Sequence, residues 1–495
     1  MTILHNEKFS KNAERAIVIG GGISGLLVSR VLSDHYSEVI VLDKDDFPEK
    51  PEHRAGVPQS FQPHRLTPRG RMILDHFFPA FNDDLLEMGA PSSQGKTAYF
   101  SYDFGNMEMS IPDNEATFSR ALLEWVLRER VKKIPNVHLK PKQDIIGLLT
   151  NSDKTAVTGV IARDRTQSGQ EQTWNADLVF DVSGSNSKLV TWLEQLGYTI
   201  PDPDILKVSL GYSTRHYRIP DSQTRNWDVY RKDGNPSNHQ FTAVLSVIEN
   251  QTAELLLWGV GGRVPDTKAQ EFEQNVDQLK DSLLSELLQG LEPIGAPRGY
   301  RISELRRHRF ELMERWPSGL LVMGDALCTF DPIYGLGMTV AAIEAERVAS
   351  YFQEQRNNPQ PHFEKRMLQG LQEALEPAWW LNCVHDLQWP NVEYAGRHLA
   401  GISFAQKYMN LALQQVVSKQ NSDLFLLQWG VTSLLFSPGM LFNPQMADFF
   451  LAHASDEESR ELMTFLQEQG QTLEEMMEQI PNFANASFVQ IPSGE

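Results

Sequence analysis

The sequence predicts an α/β protein: a Rossmann-like layer, a β-sheet domain inserted into it, and a C-terminal helical cap. Three observations predict this. An apolar run, 16–20, leads directly into Gly20-Gly21-Gly22-Ile23-Ser24-Gly25. Far downstream, Gly319-Leu320-Leu321-Val322-Met323-Gly324-Asp325 leads into Asp331-Pro332-Ile333-Tyr334-Gly335-Leu336-Gly337. Between the two lie strand-like segments, and beyond residue 361 the pattern is helical and rich in Gln, Met, Trp and Phe.

The run 16–20 has the continuous apolar character of a strand buried on both faces of a parallel sheet. Gly20 permits a tight turn, Gly22 lets backbone approach a pyrophosphate, and Gly25 allows a helix to pack closely on the strand. Apolar residues recur at helical spacing over 24–32, so the N-terminus of that helix can offer free N–H groups to phosphate. Residues 38–42 read as the second strand, and Asp43 closes it. A carboxylate there accepts hydrogen bonds from a ribose 2′-OH. With strand, turn, helix, second strand and terminal acid all present, a dinucleotide is expected. The paired downstream Gly-Asp motif makes FAD the expected dinucleotide.

At 495 residues the chain exceeds one ordinary core. Hydrophobic content of 41% and charged content of 22% are those of a soluble globular protein. A net charge of −19 argues against nucleic acid or an anionic membrane as partner, and plain solubility accounts for it. The two cysteines, Cys328 and Cys383, form no CxxC pair, which excludes a disulfide scaffold or cysteine-rich zinc site and suits a reducing cytoplasm. No metal site is expected. No signal-peptide core precedes the first strand. The longest apolar stretch, 424–436, is shorter than the ~20 residues of a transmembrane span, so it is read as a buried helix or a greasy lid.

The remaining elements fall in order. Residues 47–68 carry Pro and His and read as loop. Residues 117–133 form an amphipathic helix with Leu122, Leu123, Val126 and Leu127 on one stripe and Arg120 in the first turn. Strands are expected at 137–139, 145–149, 157–162 and 177–182, then at 208–212, 241–247 and 253–260. Helix returns over 266–291, 319–323 is a last buried strand, and 339–354 is the helix behind it. The tail after Pro481 reads as loose. The layout is therefore discontinuous: an FAD-binding domain from 1–90, 117–200 and 300–355, a β-rich substrate domain from 91–116 and 201–299, and a helical region from 356–495.

With these motifs placed, the sequence resembles the class A FAD-dependent monooxygenase superfamily, which has the p-hydroxybenzoate hydroxylase fold. It is most similar to FAD-dependent epoxidases and hydroxylases of natural-product pathways, the lasalocid polyene epoxidase among them. The likeness rests on Arg54-Ala55-Gly56-Val57-Pro58-Gln59-Ser60-Phe61-Gln62-Pro63-His64, on Ser119-Arg120-Ala121-Leu122-Leu123-Glu124-Trp125, and on the stretch from Gly324 to Met338, where Asp331 replaces the Asn of the group. It implies that Gly20, Gly22 and Gly25 hold the pyrophosphate and Asp43 the adenosine ribose. Arg54 and Arg120 then reach phosphate or ribityl oxygens, a task suited to the arginine fork, though a surface ion pair is the alternative for each. Asp325 takes the ribityl hydroxyls. Pro332, Gly335, Leu336, Gly337 and Met338 bring backbone to the pyrimidine edge of the flavin.

The implied reaction is epoxidation or hydroxylation of a hydrophobic small molecule with one oxygen from O2, by way of a flavin C4a-hydroperoxide. Catalytic candidates are His64, which is equally readable as structural, and the backbone N–H groups at Gly335 and Gly337. Phe100, Tyr102, Tyr212, Phe241 and Trp258 are candidates to line the pocket, ordinary core being the alternative. The Asp-Gly pair of the aromatic hydroxylases is Ser183-Gly184 here, so the reductant is NADPH, NADH or a separate flavin reductase. The rival readings are a reductase or dehydrogenase of the geranylgeranyl reductase group, a flavin-dependent halogenase, for which the Trp-x-Trp-x-Ile-Pro run is missing, and a non-catalytic flavin sensor.

Overall fold

The computed structural model describes residues 14–166, 169–222 and 225–489. Five parallel strands form the first layer, in the order Leu320–Val322, Leu178–Asp181, Arg15–Ile19, Glu38–Leu42, Val137–Lys140. The side chains of the first four are almost wholly buried, as their apolar runs require, while the edge strand Val137–Lys140 exposes His138 and Lys140. Helices Ile23–Leu32, Arg120–Lys132 and Leu336–Asn357 pack together on this layer. An antiparallel sheet of Gln143–Thr150, Val157–Asp164 and Glu171–Asn175 packs against strands Leu178–Asp181 and Glu38–Leu42. Because the five strands run the same way, the loops after Ile19, Leu42, Asp181 and Val322 all emerge at one edge, where open α/β sheets bind ligands.

The second layer is a seven-stranded sheet in the order Glu292–Ile302, Leu210–Arg218, Thr252–Gly259, Thr242–Ile248, Trp227–Lys232, Thr97–Tyr102, Gly105–Ser110. Its two faces have different partners. One face presents Leu210, Tyr212, Leu256 and Trp258 to the main core. The other, with Tyr217, Leu245, Leu255 and Leu257, is covered by helices Ala269–Asp277 and Ser282–Leu288 through Phe272, Val276 and Leu284. The edge strand Glu292–Ile302 has no counterpart in the sequence expectations, because Pro293, Gly295, Pro297 and Gly299 disguise it. An edge strand tolerates proline, since one side of it needs no ladder bonds.

Helix Phe363–Asp386 packs along Leu336–Asn357, and helices Ile402–Ser418, Ser422–Thr432, Pro444–His453, Asp456–Gln469 and Leu473–Met477 follow. A small sheet, Leu305–Arg307, Asp204–Lys207 and Glu393–Ala395, ties this region to the rest. The apolar stretch at 424–436 is only partly buried: Leu426 and Trp429 are exposed. The tail expected to be loose is docked through residue 489. Phe483 stacks edge-on against Trp380, and the N–H of Val489 donates to the Leu435 carbonyl at 3.0 Å. No helix among the described residues is long and apolar enough to cross a membrane.

Candidate functional site

The first loop is shaped by what its glycines exclude. Gly20 has φ +108°, and a Cβ there would stand 2.6 Å from the Val182 carbonyl oxygen. A Cβ on Gly25 would lie 1.9 Å from the Gly20 oxygen, so helix Ile23–Leu32 rests directly on the turn. Gly22 is different. A Cβ there meets nothing nearer than Arg54 Nη2 at 3.8 Å, and the helix that follows has no side-chain cap. Space and unpaired N–H groups therefore coincide in front of the helix, as anion binding requires.

Asp43 ends the second strand at 6% exposure. Its Oδ2 accepts the Gly21 N–H at 2.7 Å and its Oδ1 that of Asp45 at 2.8 Å. Arg54 is gripped by carboxylates: Nε donates to Glu124 at 2.7 Å, and Nη1 lies 3.1 Å from Asp45 and 3.4 Å from Asp43. Arg54 is thus a buried ion-pair hub rather than a surface pair, and its Nη2 is the atom nearest the open space over Gly22.

Arg120 opens its helix behind an N-cap that doubles as a clamp between layers. Ser119 Oγ accepts the Leu122 N–H, while the Ser119 N–H and hydroxyl donate to the Glu249 carboxylate at 2.9 and 2.5 Å. Arg120 Nη2 pairs with Glu124 at 3.1 Å, and its buried Nε has no hydrogen-bond partner. Asp325 is exposed to solvent, yet the protein around it raises its pKa, and the Arg120 charge pulls the other way. Asp325 therefore lies within electrostatic reach of Arg120. Burial, and after it the charge of Asp325, raise the pKa of half-buried Tyr300.

The second loop touches the first. A Cβ on Gly324 would stand 2.5 Å from Ser24 Oγ, and the Gly324 N–H donates to Glu344 at 2.9 Å. Burial pushes the Glu344 carboxyl up to about 8. Pro332 is exposed, Gly335 turns at φ +67°, and helix Leu336–Asn357 begins there without a side-chain cap. Nothing lies within 4 Å of a Cβ built on Gly337, whereas Leu336 and Met338 point inward and are buried. Two uncapped helix starts, open space over Gly22 and Gly337, and the orphaned Arg120 Nε fit an elongated ligand that carries phosphates at one end and hydroxyls nearer Asp325.

The His64 Nδ1–H donates to the Gln62 carbonyl at 2.7 Å. Burial and the Arg120 charge lower its pKa to about 3, so it is a neutral imidazole beside the cleft.

The structure divides the predicted aromatic lining. Tyr212, Trp258, Phe100 and Tyr102 share the face toward the main core, where Tyr212 stacks with Tyr300 at 6.4 Å and Phe100 meets Phe425 of the cap at 4.9 Å. Phe241 does not join them. It packs in the opposite core, under the Arg263 guanidinium at 4.3 Å, because the single-residue alternation of a strand sends it to the far face from Thr242, the residue paired with Trp258. Trp379 and Trp380 are cap core, while Trp389 stands edge-on to Trp258 at 5.2 Å. Sequence reasoning missed Tyr300, hidden in the Pro- and Gly-rich strand, and Asn382 and Asp386, which nothing local marks. A separate surface cleft of about 370 Å³, lined by Tyr394, Arg397, His398 and Gln406 among others, touches none of the predicted site residues. No group of three metal-ligating side chains is arranged to hold a metal among the described residues.

No protein-family model matches the chain. A protein of Mycobacterium tuberculosis, Rv3254, is 28% identical over 393 residues, which is 76% of this chain and 80% of that protein. The flavin-dependent brominase Bmp2 superposes with a TM-score of 0.58 at 15% identity, over 92% of this chain and 99% of its own. A flavoprotein/dehydrogenase from Cytophaga hutchinsonii gives 0.58 at 15% identity, over 92% and 100%. PqsL of Pseudomonas aeruginosa, described as a probable FAD-dependent monooxygenase, gives 0.50 at 14%, over 84% and 99%. The chain shares its fold with these flavin-dependent proteins.

Proposed function

We propose that this chain is an FAD-dependent monooxygenase that places one oxygen atom from O2 on a hydrophobic small molecule, by epoxidation or hydroxylation. The observation that carries the reading is the pair of uncapped helix N-termini, at Gly22 and Gly335, with the Gly324 loop packed against Ser24 and Asp325 within electrostatic reach of Arg120. Bound FAD would supply the two-electron chemistry that activates O2. The chain's own residues do the rest. The N–H groups after Gly22 and the Arg54 Nη2 would hold the pyrophosphate, Asp43 the adenosine ribose and Asp325 the ribityl chain. Gly337 leaves room for a flat ring to lie on backbone, and the N–H groups of Gly335–Met338 stabilise negative charge there. The aromatic face of Tyr212, Tyr300 and Trp258 excludes water and receives an apolar substrate. Electrons come from NADPH, NADH or a separate flavin reductase.

The test uses FAD-loaded protein, reduced anaerobically and mixed with 18O2, bromide and a panel of lipophilic alkenes and aromatics. Product carrying one 18O atom supports the reading. Brominated product makes the chain a halogenase, the activity of Bmp2, and a saturated product without 18O makes it a reductase.

A further inference from the structure

Beneath the turn Pro332–Tyr334 lies a polar cluster that the proposed chemistry does not use. Asp331 and Asp386 are both 0% exposed. The Asp331 N–H donates to Asn382 Oδ1 at 2.8 Å, and Asn382 Nδ2 donates to Asp386 at 2.5 Å, so one amide links the Asp331 backbone to the Asp386 carboxylate. Tyr334 donates to Asp386 at 2.7 Å. Asp331 Oδ1 accepts the Ile333 N–H at 3.0 Å and the Tyr212 hydroxyl at 3.4 Å, while its Oδ2 is buried with no partner. The cation that reaches this cluster, Arg231, is already engaged by Asp233 at 2.6 Å and by the Ile333 carbonyl at 3.0 Å. His385, stacked on Tyr334, is held neutral by burial, as is the Cys383 thiol. The Trp258 indole N–H favours the ionised form of Asp331, against the larger effect of burial.

Two fully buried carboxylates with no cation of their own cannot both be ionised. We infer that Asp331 and Asp386 hold one proton between them at neutral pH, and that losing it places a second negative charge under the Pro332–Met338 turn and weakens FAD binding. The pKa values agree in direction: burial raises both, and the Asp331 charge raises that of Asp386 further. Asp331 is a positioning residue here, acting through the turn whose backbone faces the flavin. The coupling is reciprocal, so FAD binding must tighten the hold on the proton. The inference rests on the proposed FAD site.

The test compares the parent chain with Asp331→Asn and Asp386→Asn. The amide introduced by Asp331→Asn keeps an acceptor for the Ile333 N–H, so a merely structural role survives the change. The first readout needs no cofactor: the infrared carbonyl band of protonated carboxylic acid in the apo chain, taken as parent minus variant so that Glu344 and Glu254 cancel. The difference band must persist to near-neutral pH and vanish above it. The second is FAD affinity from pH 5.5 to 8.5, expected to fall about fivefold or more in the parent and to be flat in both variants apart from other groups. No difference band near neutral pH, or the same affinity slope in all three proteins, overturns the inference. Failure of every protein to bind FAD overturns the proposed function and the coupling with it, while the infrared band still decides the shared proton.

Discussion

Gly22→Ala and Gly25→Ala lie three residues apart in one motif, yet the structure assigns them opposite consequences. At Gly25 the added methyl stands 1.9 Å from the Gly20 carbonyl oxygen, against ~3.5 Å for ordinary contact, and the obstacle is backbone. Helix Ile23–Leu32 must retreat from the strand it rests on, an overpacking cost of about 1–3 kcal/mol or more in the centre of the parallel layer. At Gly22 the nearest atom is 3.8 Å away and φ is −77°, which any residue adopts. There the reduced freedom of the unfolded chain and the poorer cap offset one another, leaving apo stability within about 1 kcal/mol. The methyl instead occupies the gap reserved for phosphate, and a loss of tenfold or more in FAD affinity, about 1.4 kcal/mol, is expected. Urea unfolding of the apo proteins and FAD titration by fluorescence quenching read the two quantities separately. A Gly22→Ala chain as destabilised as Gly25→Ala, or one binding FAD like its parent, would refute the assignment of that space to the cofactor.

Phe241→Ala should cost about 3–5 kcal/mol in unfolding free energy and leave substrate preference unchanged, because the ring lies in the core away from the cleft; a Trp258→Leu chain should change the preference in a substrate competition assay. Ser119→Ala removes a helix cap and one of two donors to buried Glu249, so urea midpoints should fall by the equivalent of about 1–3 kcal/mol. His64 has a folded-state pKa of about 3, below the ordinary histidine value of 6.5. Between those values the unfolded chain takes up a proton that the fold refuses, so the contribution is intact above pH 6.5 and is lost on acidification, by at most about 5 kcal/mol. His64→Gln should flatten part of the acid limb in denaturation series from pH 7 to 4, leaving the parts due to His308 and His385, each lowered to about 4.

What could be read from the sequence was what local backbone geometry imposes. A turn that only Gly20 can make, a helix that only Gly25 lets approach, and a strand closed by Asp43 all lie within one stretch of chain, and each leaves a residue type at a fixed spacing. The Gly324-Asp325 loop was legible for the same reason. The strand Glu292–Ile302 was not, since the prolines that an edge tolerates are those that signal a loop. Phe241 was misplaced by one step of strand register, which reverses the face. Asp386 is brought beneath Asp331 by a helix whose own periodicity gives no sign of the partner, and Glu249 reaches Ser119 across 130 residues. The docked tail is fixed by single contacts such as Phe483 on Trp380, too few to leave a pattern.

Whether the cleft between the two glycine loops holds FAD is decided by titrating the purified apo chain with FAD and following the flavin's visible absorbance and fluorescence. Saturation at one FAD per chain is expected, with Asp325→Ala weakening binding while apo stability holds. A chain that takes up no FAD, or takes it up equally well with Asp325 and Arg120 both replaced by alanine, would contradict the assignment of that cleft to the cofactor.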